Sequence, residues 1–183
     1  MLFADGENLT MRYQDTIAGG RSPRKSVVHL PDTFVWTERI THRRYTGLPN
    51  IARVYYYTSV TGDDDQVQET KERLCAQSFA SPLSGEAHIA QVVPIVFKKL
   101  KKSSKTRNVD IQIVIDVMRF AFSGGIDRVY LASGDGDYLP LIQEVMRRGV
   151  QVELLAFKSG LNPRLKASVD KLHLLDDAFF EDL

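Results

Sequence analysis

Apolar runs of strand length alternate along this chain with segments whose apolar positions recur at helical spacing. Leu2 to Asp5 reads as the end of a short buried strand, followed by a turn at Gly6-Glu7-Asn8. A weak helical pattern covers Thr10 to Ala18, and Gly19 to Lys25 is a Gly/Arg/Pro-rich loop. Thr33 to Ile40 alternates as a strand does, and Ile51 to Val60 is a β-rich run bounded by Pro49-Asn50 and Gly62. Asp63, Asp64 and Asp65 suit a helix N-terminus, so a helix is expected over Asp63 to Phe79. Ile89 to Phe97 is a further strand, which Pro94 pushes toward a sheet edge or a break.

The C-terminal half is patterned more sharply. Ile111, Val114, Ile115 and Met118 follow the i, i+3, i+4, i+7 spacing of an amphipathic helix over Val109 to Phe122, which Gly124-Gly125 stops. Arg128 to Ser133 is a buried strand running into Gly134-Asp135-Gly136-Asp137. A helix over Tyr138 to Arg148 follows, with Gly149 as its C-cap. Val150 to Phe157 is a strand, Asn162 to Val169 a short helix, and Leu172 to Leu175 a last short strand. Strands separated by helix-length segments imply βαβ units, and hence an α/β fold with a mostly parallel sheet.

With 183 residues, 43% hydrophobic and 26% charged, the composition is that of an ordinary soluble globular chain, expected to form one domain over 1–183. No apolar stretch approaches the roughly 18 residues of a membrane-spanning helix, and the start Met1-Leu-Phe-Ala-Asp-Gly lacks the pattern of a signal peptide. The single cysteine, Cys75, allows no intrachain disulfide. The cytoplasm is therefore the expected compartment, with no membrane partner. A net charge of +1 says less about partners than the placement of the charges.

In open α/β sheets, sites form at the carboxyl ends of the strands. Asp5 ends the first strand, Asp135 and Asp137 follow the strand at Arg128 to Ser133, and Asp110 begins a helix whose N-terminus would face the same edge. Hard divalent cations take oxygen ligands, so such a cluster could hold Mg²⁺ or Mn²⁺ and activate a water for in-line attack on a phosphodiester. Without a cation the acids would repel one another. Each also has a plainer reading. Asp5 with Gly6 could form an Asx-turn, Asp110 could be an ordinary helix N-terminal charge, and Asp135-Gly136-Asp137 could be a turn and an N-cap. In the last case Asp137 would cap while Asp135 binds metal. Asp116 stands with Gln112 and Arg119 on the polar side of its helix, where an i, i+3 pair with Arg119 accounts for it. Asn8 could hold the turn after Asp5 or hydrogen-bond a metal-bound water.

Taken together, Phe3-Ala-Asp-Gly-Glu-Asn8, Lys105-Thr-Arg-Asn-Val-Asp110 with its helix bearing Asp116, and Ser133-Gly-Asp-Gly-Asp-Tyr-Leu-Pro-Leu141 followed by Arg148-Gly-Val150 form a pattern. It resembles the NYN domains, a branch of the PIN-like nucleases that includes the LabA-like bacterial proteins. The resemblance spans almost the whole chain in the family's order. It implies a Rossmann-like PIN fold and a metal-dependent ribonuclease site, with Asp5, Asp110, Asp135 and Asp137 as metal-site acids and Asn8 and Asp116 in support. Many relatives place Gly where this chain has Asn108, and Gly19 to Asn50 is longer than a minimal domain needs, so 19–50 reads as a family-specific insertion.

The basic residues suit an RNA partner, single-stranded or structured. Lys98, Lys99, Lys101, Lys102, Lys105 and Arg107 crowd the segment leading to Asp110 and could grip a phosphate backbone. Arg21, Arg24 and Lys25 form a second cluster. Arg39, Arg43 and Arg44 form a third, near Trp36, His42 and Tyr45, aromatics that could stack unpaired bases. For any one cluster alone, a solvated charged loop is the better reading. Tyr55, Tyr56 and Tyr57 read as strand and core residues. The expected activity is endonucleolytic hydrolysis leaving a 5′-phosphate and a 3′-hydroxyl. An RNA-binding module with little turnover and another Mg²⁺-dependent phosphoesterase are the alternatives; the second is disfavoured because Asp5-Gly6-Glu7 stands where haloacid dehalogenase phosphatases carry Asp-x-Asp. A homo-oligomer stays open.

Overall fold

In the computed structural model, residues 1–41, 51, 53–81, 88–99 and 107–181 are described, with the backbone alone for 78–81 and 88–90. Seven strands among them form one sheet in the order β5-β6-β4-β1-β7-β8-β9. β1 is Leu2–Asp5, β4 Arg53–Thr61, β5 Ser78–Ser81, β6 His88–Lys99, β7 Arg128–Ala132, β8 Gln151–Ala156 and β9 Lys171–Leu174. All neighbours pair in parallel except β5, which pairs antiparallel with β6 at the edge. The expected α/β, Rossmann-like architecture is the one found. β5 reaches only as far as Gln91 on β6, so Pro94 lies beyond it, where β6 pairs with β4 alone and a missing N–H is tolerated.

Period-2 alternation sends β1's side chains to opposite faces of the sheet. Leu2 and Ala4 pack on one face with Tyr56, Tyr130 and Leu155. That face is covered by Leu9 and Tyr13 of α1 (Gly6–Ala18), by Phe34 and Trp36, and by Phe179 and Phe180. Phe3 packs on the other face with Leu131 and Leu154, beneath Val109, Ile113 and Val117 of the helix at Arg107–Phe122 and Leu141 and Ile142 of the helix at Leu139–Arg147. Asp5 follows Phe3 in this alternation, which aims it toward the helix that begins beside Asp110. That helix lies between parallel β6 and β7, so it runs back along the sheet and starts at the carboxyl edge.

Several elements differ from the sequence reading. α1 begins at Gly6, not Thr10, because the Asp5 carboxylate accepts the Asn8 N–H and caps the helix directly; Gly6-Glu7-Asn8 is its first turn. The strand expected over Thr33 to Ile40 is shorter, β3 at Phe34–Thr37, and passes into a short helix, α2, at Glu38–Thr41. Its hairpin partner, β2 at Val27–Leu30, was not anticipated. The segment read as an insertion thus supplies Phe34, Val35, Trp36 and Ile40, all fully buried. α3 (Asp64–Cys75) has a capping box from Asp63 and Gln66 and stops short of the expected Phe79, which falls in β5. Gly149 lies one residue past the cap Arg148, with φ +77.

Candidate active site

The corners after β1 and β7, the end of β6 and the start of the helix at Arg107–Phe122 meet around a cavity of about 800 Å³, lined among others by Asp5, Glu7, Asn8, Lys99, Asp110 and Asp135. Asp5 lies at the bottom, 3% exposed. Its Oδ1 accepts the Asn8 N–H at 3.0 Å, and its Oδ2 accepts the Ser133 hydroxyl at 3.0 Å and the Tyr138 hydroxyl at 3.3 Å. Extending the β1–β7 register one step past Ala4 and Ala132 brings Asp5 beside Ser133. The pairing therefore follows from strand alternation.

Tyr138 links two of the acids. Its hydroxyl also stands 3.1 Å from Asp110 Oδ1, so one O–H is shared between two carboxylates and satisfies one of them at a time. Burial, then the charges of Asp5 and Asp110, push the phenol well above its ordinary range, so it stays a donor. Burial also lifts the Asp5 carboxyl to about 7; the Asp110 and Glu7 charges add to this, while the Asn8 and Ser133 hydrogen bonds oppose it. Burial and the neighbouring charges thus disfavour the ionised Asp5 more than its hydrogen bonds favour it.

Asp135 performs the capping task that the sequence assigned to Asp137. Its Oδ1 accepts the Asp137 N–H at 3.0 Å and starts a 3₁₀ turn at Gly136–Tyr138, and its own N–H donates to Ser133 Oγ at 3.1 Å. Asp135 lines the cavity; Asp137 is exposed and does not. In both Asp5 and Asp135 the cap engages Oδ1, leaving the second carboxylate oxygen to face other partners. Asn8 holds the corners together, because its Oδ1 accepts the Gly134 N–H at 3.1 Å. Asp116 stands outside the cavity lining and has the polar partners expected of it, Arg119 at 3.3 Å and Gln112 at 3.0 Å, together with the Tyr57 hydroxyl at 3.1 Å.

Of the basic residues, Lys99 alone among the described members of its cluster lines the cavity. Its ammonium is 3.4 Å from Glu7 Oε1, and Glu7 also accepts the Ser59 hydroxyl. Lys98 alternates to the opposite face and pairs with Asp64 at 2.9 Å; Arg107 is exposed at the helix start. Lys101, Lys102, Lys105, His42, Arg43, Arg44 and Tyr45 lie outside the described residues. Arg21 and Arg24 bond the C-terminal segment through Glu181 O and Asp177 O, so that cluster ties down chain rather than facing the site. Trp36 is no base platform: it is fully buried in the core. Glu7, Ser133 and Tyr138 were not singled out from sequence, since only the fold turns their polar atoms onto Asp5 and Lys99.

The donor set suits a hard cation. Asp5, Asp110 and Asp135 offer only oxygen, and a positive charge beside the buried Asp5 would remove the cost that raises its pKa. Among the described residues no three His, Cys, Asp or Glu side chains are gathered closely enough to hold one ion. Mg²⁺ held by one or two carboxylates, with water completing its shell, needs no such group of three.

The family model for the NYN domain matches residues 1–176. Comparison with curated proteins gave no match. Among solved structures, the crystal structure of a protein of unknown function from Vibrio parahaemolyticus superimposes with a TM-score of 0.62, at 16% sequence identity, over 98% of this chain and 94% of that one. At that identity the likeness is one of fold. No helix among the described residues is long and apolar enough to cross a membrane.

Proposed function

The chain belongs to the NYN-domain family, a branch of the PIN-like nuclease superfamily whose members are generally divalent-metal dependent, and from that premise we propose that it is a metal-dependent endoribonuclease. One observation carries the reading: Asp5 and Asp110, at the positions that match the family's motifs, face each other across the single Tyr138 hydroxyl, with Asp5 buried and pushed up to about 7. Asp5 and Asp110, joined at the Tyr138 hydroxyl, would bind Mg²⁺ or Mn²⁺ directly, and Asp135 and then Asp137 would reach it through its bound waters, with Asn8 fixing their corners. Bound there, the ion would supply the charge that polarises a phosphoryl oxygen and acidifies a water.

The chain's own residues do the rest. Tyr138, kept protonated, donates its one O–H to Asp5 or to Asp110 and so keeps a donor between the two carboxylates. Lys99 places a cation at the cavity wall, where Glu7 and Ser59 set its direction; there it offsets the charge of an incoming phosphodiester. Lys101, Lys102, Lys105 and Arg107 lie between Lys99 and Asp110 in the sequence, and their charge would add to the attraction for flanking phosphates.

Cleavage of a labelled single-stranded RNA with Mn²⁺, Mg²⁺ or EDTA tests the reading, with Asp5→Asn as the control. Metal-dependent cutting abolished by the substitution is the expected result. Salt-sensitive binding without cutting under any metal would identify an RNA-binding module instead, and phosphate release from small phosphoesters would point to the other phosphoesterase reading.

A further inference from the structure

A second cation lines the cavity, and the chemistry above leaves it unused. Arg12 lies on α1 one turn beyond Asn8, on the wall of the cavity that contains Asp5, Asp110 and Asp135. Its side chain is 31% exposed, and its ion-pair partner Asp15 stands at 3.7 Å, too far for a hydrogen bond. Its Nε is buried with no hydrogen-bond partner among the described residues. That Nε is covered by backbone, so the Nη donors, which Asp15 does not reach at hydrogen-bond distance, are the ones left for a ligand to meet.

The loop after β8 fixes where that guanidinium sits. A Cβ on Gly160 would fall 2.1 Å from Arg12 Nε, so the side chain rests on bare backbone there. Gly160 also has φ +80, a conformation that glycine adopts readily. The other side of the same loop abuts the corner after β7: a Cβ on Gly134 would meet the Gly160 carbonyl at 2.8 Å, and the Asn162 N–H donates to Gly134 O at 3.1 Å. Ser159 Oγ lies 3.4 Å from Thr16 Oγ1, one turn past Arg12 on α1. Arg12 is thus coupled through one short loop to the corner that carries Asp135.

We propose that Arg12 binds a backbone phosphate of the nucleic-acid substrate on the β8 side of the acids, opposite Lys99 on the β6 side. The proposal rests on the nuclease reading and adds the path of the substrate. From β6 to β8 the sheet order is β6-β4-β1-β7-β8, a span of roughly 19 Å at about 4.8 Å per neighbouring pair. A chain crossing the carboxyl edge along that line meets Lys99, then the acids, then Arg12. The forked guanidinium matches a phosphate better than an ammonium does.

The test is binding of fluorescent single-stranded RNA by the full chain carrying Asp135→Asn, in Mg²⁺ over a salt series, with cleavage by the wild type assayed alongside. Adding Arg12→Gln is expected to weaken binding several-fold and to reduce the salt slope by about 0.7, the value of one phosphate contact on a single strand. Arg12→Lys should restore most of the slope but not all of the affinity. Asp15→Asn, which removes the carboxylate beside Arg12, should tighten binding. Shortening the RNA from one end should weaken the Arg12-containing protein but not the Arg12→Gln form; shortening from the other end should weaken both. Unchanged affinity and slope in Arg12→Gln, with the wild type cutting RNA, would overturn this proposal alone. A wild type that neither binds nor cuts RNA would overturn the nuclease reading with it.

Discussion

The side-chain oxygen of Asn8 accepts the backbone N–H of Gly134 at 3.1 Å, joining two corners 126 residues apart in sequence. The same residue's N–H donates to Asp5 Oδ1 at 3.0 Å. Asn8 therefore fixes both the corner holding Asp5 and the corner leading to Asp135, and it explains how carboxylates remote in sequence share one cavity. Asn8→Ala would leave the buried Gly134 N–H without its acceptor. The expected loss is about 1–3 kcal/mol of stability, with a fall in cleavage that persists under conditions where the variant is fully folded. Urea unfolding and RNA cleavage measured on the same preparation would check both; wild-type values would mean that water replaces the Asn8 oxygen without cost.

Asp135 and Asp137 are two residues apart but stand differently toward the cavity. Asp135 lines it, while Asp137 gives its N–H to Asp135 and turns its side chain to the surface. Asp135→Asn is expected to abolish cleavage and to leave the fold and much of the RNA affinity intact. Asp137→Asn is expected to reduce cleavage by a smaller factor. Initial rates across a Mn²⁺ titration distinguish the two, and equal losses would place both carboxylates at the ion.

The strand–helix alternation was legible because each central strand is a short apolar run with turn residues at its ends, as in Arg128 to Ser133 before Gly134. The parallel sheet, and with it the gathering of acids at its carboxyl edge, followed from that alternation. The start of α1 was not legible, since Asp5-Gly6 is equally good as a turn and as a helix cap; tertiary pairing of β1 decides it. The β2–β3 hairpin was half missed because Val27–Leu30 is too short to signal a strand without its partner. Asp5, Asp110 and Asp135 were readable as acids at strand ends or helix starts. Tyr138, an aromatic among apolar neighbours, reads as core, and it is buried; only its hydroxyl between Asp5 and Asp110 gives it a second role. Arg12 gave no signal either, because an arginine on an amphipathic helix is ordinary until Gly160 is seen beneath it.

Burial of Asp5 gives the metal-free protein a pH dependence whose sign follows from the direction of its pKa shift. Burial, reinforced by Asp110, raises its carboxyl from 3.8 to about 7 in the fold. Between those values the folded state binds the proton more tightly than the unfolded state. The contribution is thus fully present below 3.8 and lost as pH rises through about 7. Asp5→Asn removes this dependence. In EDTA the stability of Asp5→Asn relative to wild type is therefore expected to rise as pH increases from about 4 and to level off above about 7, the range set by that shift. Mg²⁺ should narrow the difference at the upper end by stabilising the wild type alone. Urea titrations of both proteins across that range supply the comparison, and a difference independent of pH would show that Asp5 is already charge-compensated.

Gly6 connects Asp5 to Glu7, and its lack of a side chain is a packing requirement. A Cβ there would lie 2.3 Å from Tyr56 Cε1 and 2.6 Å from the Tyr57 carbonyl oxygen. Neither neighbour is placed to yield. The Tyr57 carbonyl belongs to β4, and the fully buried Tyr56 ring is anchored by its hydroxyl, which accepts the Val35 N–H at 3.1 Å and lies 3.4 Å from Thr10 Oγ1. Alanine would force α1 away from β4 at its first turn, at an expected cost of about 1–3 kcal/mol. The displacement would fall on Asp5 and on the Glu7–Lys99 pair, so cleavage should drop more than stability alone explains. Gly19→Ala, at the other end of the same helix, serves as the control: its φ is −76, its closest contact would be 3.4 Å, and no such loss is expected. Thermal unfolding and cleavage of both variants would decide it, and an unperturbed Gly6→Ala would mean that Tyr56 can move without disturbing the acids.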